Sequence, residues 1–80
     1  MMRHSDITKS ELTLQIKSGA ITHAGNARLK INGSLNCSSG KRMHQRNRVF
    51  FANEKEAIQS GYRPCGNCMS AAFREWSANN

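Results

Sequence analysis

Apolar positions fall in four short stretches separated by polar or glycine-bearing turns. Over residues 7–18, Thr8 and Glu11 have the spacing of a capping box, and Ile7 and Leu12 that of a hydrophobic staple. Leu12 and Ile16 lie one turn apart on one face, and Gly19 is placed to stop the helix. The pattern predicts a scaffold helix whose apolar stripe belongs to the core. Over 20–36 a hairpin is expected, with Ala20–His23 and Arg28–Asn32 flanking a turn at Ala24-Gly25-Asn26. Alternation puts Leu29 and Ile31 on a core face and Arg28, Lys30 and Asn32 on a basic face. Residues 37–48 read as a polar loop. Val49-Phe50-Phe51 is a short apolar strand, and Asn53 with Glu56 caps a short helix that ends at Gly61. Met69, Ala72, Phe73 and Trp76 recur at helical spacing and predict a C-terminal helix packed on the core, with Trp76 as a core anchor. The whole chain, 1–80, is thus expected to be one α+β domain: a short antiparallel sheet flanked by about three helices.

Composition changes this picture by making the core thin. Eighty residues with 38% hydrophobic and 6% aromatic content are near the size where burial alone is marginal, so a staple is expected. The start, Met1 to Asp6, has no apolar signal region, and no stretch approaches membrane-spanning length. The expectation is a cytoplasmic, monomeric protein without membrane association, whose thiols stay reduced and whose staple is a metal. Twelve basic residues face five acids, for a net charge of +7. No acidic residue lies between Glu11 and Glu54, where Lys17, Arg28, Lys30, Lys41, Arg42, Arg46 and Arg48 all fall. That one-sign middle is the footprint expected of a nucleic-acid binder, although a generally basic small protein would also show it.

The chemistry centres on Gly61-Tyr62-Arg63-Pro64-Cys65-Gly66-Asn67-Cys68. The C-x₂-C spacing lets two thiolates reach one tetrahedral zinc from a single turn, and Cys37 supplies a third. A redox pair and inert buried thiols are the alternatives. The first lacks the βαβ context of thioredoxin-like motifs, and the second does not explain a pair in a Pro-Cys-Gly-Asn turn. Candidates for a fourth zinc ligand are His4, His23 and His44, although a histidine in such a place is more often an ordinary surface residue than a ligand. Solvent or substrate could instead fill that position.

The segment from Gly33 to Met69 resembles the zinc-binding amino-terminal domain of Ada, a bacterial protein of methylphosphotriester repair and response. The resemblance is carried by Cys37, Lys41-Arg42, Asn47 to Ala52, Glu56-Ala57, and Gly61 to Cys68. A group of small stand-alone bacterial Ada-like metal-binding proteins is similar over its full length, including the His4-Ser5-Asp6-Ile7 start. The resemblance implies zinc held by a C-x₃-C pair and a C-x₂-C pair, with the first cysteine taking a methyl group from a DNA phosphotriester. Cys65 and Cys68 match the last two ligands, and Cys37 matches the second. Gly33 stands where the methyl acceptor belongs. Putting Cys37 in the acceptor position would leave Lys41 at the second ligand and require a deletion before Asn47. The resemblance favours His4 as fourth ligand, with His44 second. Three thiolates and a histidine give the zinc centre less negative charge than four thiolates, and so less nucleophilic sulfur.

Three functions follow as expectations. The first is a zinc-stapled, non-catalytic DNA-binding module, with Arg28, Lys30, Lys41, Arg42, Arg46, Arg48 and Arg63 on phosphates. The second is an Ada-like repair alkyltransferase using Cys37. The third is a structural module whose basic surface is solvated or docks an acidic protein.

Overall fold

The computed structural model describes residues 1–37 and 43–79. In chain order the elements are β1 (Met2–Arg3), a 3₁₀ turn (His4–Asp6), α1 (Lys9–Lys17), β2 (His23–Asn26) and β3 (Ile31–Ser34). A second 3₁₀ turn (Gln45–Asn47), β4 (Arg48–Phe51), α2 (Glu54–Gln59), β5 (Arg63–Pro64) and α3 (Ser70–Ala78) follow. The five strands form one sheet in the order β1-β4-β2-β3-β5. All pairings are antiparallel except β3 with β5, which is parallel. The α+β class therefore holds, with a mixed sheet in place of a purely antiparallel one. The parallel edge arises because α2 and its connections carry the chain back before Arg63 joins the sheet.

Both predicted helix caps are present. Thr8 Oγ1 accepts the Glu11 N–H at 3.2 Å, and Asn53 Oδ1 accepts that of Glu56 at 2.8 Å. Gly61 closes the α2 segment with φ of 88°, a value that strains any residue with a side chain. The stripe on α1 is weaker than its spacing suggests. Leu12 packs on the core, but Ile16 is 38% and Leu14 68% exposed.

The first hairpin departs from expectation. Ala24, Gly25 and Asn26 are strand, and the turn lies at 27–30. Gly25 is in the strand because the chain passes directly over two aromatic rings. A Cβ there would sit 2.9 Å from the Phe51 ring and 3.2 Å from the Tyr62 ring. Asn26 starts the turn by accepting the Arg28 and Leu29 N–H groups on Oδ1, and Lys30 completes it at φ of 58°. The shift moves Leu29 into the turn, where it is exposed, and moves Asn32 into the core, where it is fully buried.

Register sorts the side chains into two faces. Val49 and Phe51 point to the face covered by α2, where they pack with Ala57 and Tyr62. Phe51 and Tyr62 meet edge to face at 4.9 Å. Phe50, Ala24 and Gly33 stand opposite one another across β4, β2 and β3, on the other face. At one end of that row Phe50 and Ala24 join Ile21, Met2, Leu12 and Leu35 in a second apolar cluster. At the other end, beyond Gly33, are the cysteines.

Candidate metal centre

Cys37 follows β3 by three residues, and its N–H closes a turn onto the Ser34 carbonyl at 3.2 Å. Cys65 follows β5 directly. Its N–H donates to the Asn32 carbonyl at 2.7 Å, so the parallel pairing of β3 with β5 fixes where the second thiol starts. Asn32 reinforces that pairing, donating from Nδ2 to the Tyr62 carbonyl at 3.0 Å. Met69 N–H closes the metal turn on the Cys65 carbonyl at 3.1 Å and leads into α3. Phe73 of α3 lies under Gly66, and the Arg63 guanidinium sits 5.1 Å over the Phe73 ring.

These connections bring the three sulfurs to within 4.8 Å of one another. The Cys37 and Cys65 sulfurs are 3.9 Å apart, too far for a disulfide, and the three cysteines are thiols. Tetrahedral zinc with sulfur bonds of about 2.3 Å needs sulfurs about 3.8 Å apart, which the Cys37–Cys65 spacing matches. Ser34 N–H donates to the Cys68 sulfur at 3.4 Å, as a second-layer bond to a thiolate ligand would. Burial pushes the Cys68 thiol up from its usual range and the neighbouring Cys37 and Cys65 thiols add to this, while the Ser34 N–H acts against them. A bound divalent cation reverses that balance and holds all three sulfurs as thiolates.

No histidine, aspartate or glutamate among the described residues joins the sulfurs within that distance. His4 packs edge-on against the Phe50 ring at 5.2 Å. Phe50 is two strands from Gly33, about 10 Å across the sheet. His4 Nδ1 is buried with no hydrogen-bond partner, and its pKa is lowered by burial and then by the Arg48 charge. His23 belongs to the alternate face from Ala24 and Gly33, and its Nδ1 is 2.8 Å from Thr22 Oγ1. His44 is exposed beside Ser5, Gln45 and Arg46.

Gly33 is the residue whose place in the site was not evident from its type. A Cβ on it would lie 2.9 Å from the Cys68 sulfur, 3.3 Å from the Cys65 Cβ and 3.8 Å from the Cys37 Cβ. The backbone of Gly33 is therefore one wall of the metal centre. Asn32 and Ser34 also carry roles, positioning Cys65 and bonding Cys68, that residue type alone did not signal.

The basic residues separate by register. Arg48, Asn26, Ile31 and Arg63 form one row across β4, β2, β3 and β5, on the same face as Gly33. Arg48 is braced 5.6 Å over the Phe50 ring, as Arg63 is over Phe73. Lys30 instead lies 5.0 Å over the Tyr62 ring, Arg28 is exposed in the hairpin turn, and Arg46 is exposed in the second 3₁₀ turn. Lys41 and Arg42 lie outside the described residues. Among the described residues no helix is long and apolar enough to cross a membrane.

A short domain that gathers three cysteines from a strand end and a C-x₂-C turn is a zinc-binding domain by geometry and donor type. The family model described as the metal binding domain of Ada matches residues 22–70, more than half of the chain. The chain belongs to that family and zinc is its cofactor, and Cys37, Cys65 and Cys68 form the cluster that could hold the ion. The match begins earlier than the resemblance at 33–69, taking in all of β2 and its hairpin turn. No curated protein and no solved structure matches the chain.

Proposed function

We propose that this protein is a zinc-stapled, non-catalytic DNA-binding module acting as a monomer in the bacterial cytoplasm. The observation that carries the reading is the row holding Arg48 and Arg63. The two arginine backbones stand three strands apart, about 14 Å, on the face that also bears the metal centre. Each guanidinium is braced over an aromatic ring, which reduces the side-chain entropy lost when it meets a phosphate. With a net charge of +7 behind them, such contacts give affinity without reading sequence. The zinc offsets most of the thiolate charge and holds β5 and α3 against β3. It thereby sets the position of Arg63, two residues before Cys65.

The methyl-transfer alternative is less well supported. Glycine stands beside the sulfurs at position 33, and Cys37, the thiol left to accept a methyl, is buried. Its test is direct. Intact mass after incubation with methylphosphotriester DNA should show no added methyl on the zinc-loaded protein, and a methylated Cys37 would establish the alternative.

A salt titration of binding to duplex DNA tests the main reading. Log K should fall linearly with log salt, and Arg48→Gln and Arg63→Gln should each reduce the slope by about 1. Lys55→Gln on α2, at the opposite face, should leave it unchanged. A flat salt dependence, or no binding at low salt, would overturn the proposal.

A further inference from the structure

Cys37 and Cys65, two of the three cysteines, line a cavity of about 440 Å³, large enough for a small organic molecule. Gly33, Cys37 and Cys65 form its metal side. Leu29, Ile31, Met43 and Phe73 give it an apolar body, and Arg63 supplies a cation. Leu29, 59% exposed, is an apolar residue that the fold itself leaves largely uncovered.

Among the described residues the donor set is three cysteines, one short of a tetrahedron. Three thiolates converge, and the three histidines lie against Phe50, on the alternate face and beside Ser5. Residues 38–42 are Ser-Ser-Gly-Lys-Arg and hold no histidine, cysteine or carboxylate. Where a side chain of β3 would reach the sulfurs, Gly33 offers only backbone. A zinc site with three protein ligands takes its fourth from outside.

We infer that the fourth ligand is an exogenous low-molecular-weight thiol with an apolar body, bound as its thiolate with the body in this cavity. Sulfur is the donor a soft three-thiolate site favours over carboxylate or phosphate oxygen. The thiol proton is released to solvent, and the added negative charge falls next to Arg63 in a strongly basic chain. With no donor side chain at position 33, the fourth position is left to an outside ligand beside Arg63. This site rests on the zinc centre and not on the DNA-binding reading, with which it shares Arg63.

The test uses the full chain loaded with Co(II) in place of zinc and titrated with benzenethiol. Sulfur-to-cobalt charge-transfer absorbance should rise saturably by about one third, as three metal–sulfur bonds become four. Native mass spectrometry should show a one-to-one adduct with the metal retained. Phenol, acetate and inorganic phosphate should not reproduce the change. An unresponsive spectrum, an equal response to phenol or the anions, or removal of the metal by the thiol would each overturn the inference. Gly33→Cys should show the four-thiolate intensity without added thiol and respond no further. A wild-type response from that variant would mean the thiol binds elsewhere. His4→Ala and His44→Ala should titrate as the unmodified chain does. A response gained only on removing one of these histidines would identify it as the fourth ligand and overturn the inference.

Discussion

On the α2 side of the sheet Val49, Phe51, Ala57 and Tyr62 are at most 2% exposed and pack ring against strand. On the opposite side the cysteines range from buried Cys37 to exposed Cys68, and α3 buries no residue fully. The first region is closed by apolar contact. The second is held by backbone bonds from Asn32 and Ser34 and by the affinity of three thiolates for one cation. The two also treat glycine differently. Gly25 lets a strand pass over Phe51 and Tyr62, while Gly33 lets the Cys68 sulfur lie against the strand backbone. Apolar packing in so small a domain supplies only part of the stability it needs, so the metal face is where folding and ligand chemistry are joined.

The sharpest way to break the comparison is to remove the metal. A strong chelator should unfold the whole domain, since apparent zinc binding energies of order 10 kcal/mol exceed what a core of this size provides. Loss of dispersed amide signals from both faces checks this, and retained dispersion of β2 and β4 would show that the apolar face stands alone. Phe51→Ala acts on that face and should cost about 3–5 kcal/mol in zinc-loaded chemical denaturation, with zinc stoichiometry unchanged.

Paired glycine substitutions sharpen the contrast further. Gly25→Ala pushes a methyl against the Phe51 ring and the Ile31 carbonyl oxygen at 3.0 Å, groups that cannot retreat, and should cost about 1–3 kcal/mol of stability. Gly33→Ala meets first the Cys68 sulfur, the tip of an exposed side chain. Its effect should appear mainly as weaker zinc retention in a chelator competition, with little change in the stability of the α2 face. The smallest effect concerns neither face. Asn53→Ala removes the α2 cap and should cost about 1 kcal/mol, read as a shifted denaturation midpoint with unchanged slope.

The sequence alone determined what depends on neighbours a few positions apart. The caps at Thr8 and Asn53, the stop at Gly61, the strand at Val49 to Phe51 and the C-terminal helix were all legible, because each rests on hydrogen bonds or periodicity within one turn. The Cys65–Cys68 pair was legible for the same reason. Tertiary structure decided the rest. Gly25 reads locally as a turn residue and is a strand residue only because two rings brought from positions 51 and 62 lie beneath it. Asn32 reads as a solvent-facing polar residue, yet it is buried because it pairs with the Tyr62 carbonyl just ahead of the strand that joins β3 in parallel. That Arg48 and Arg63 share a row, and that Cys37 meets Cys65, follow from the register of strands far apart in the chain. Gly33 shows the division most clearly. Its residue type names only an absent side chain, and only the sheet register puts that absence beside three sulfurs, where it shapes what the metal can bind.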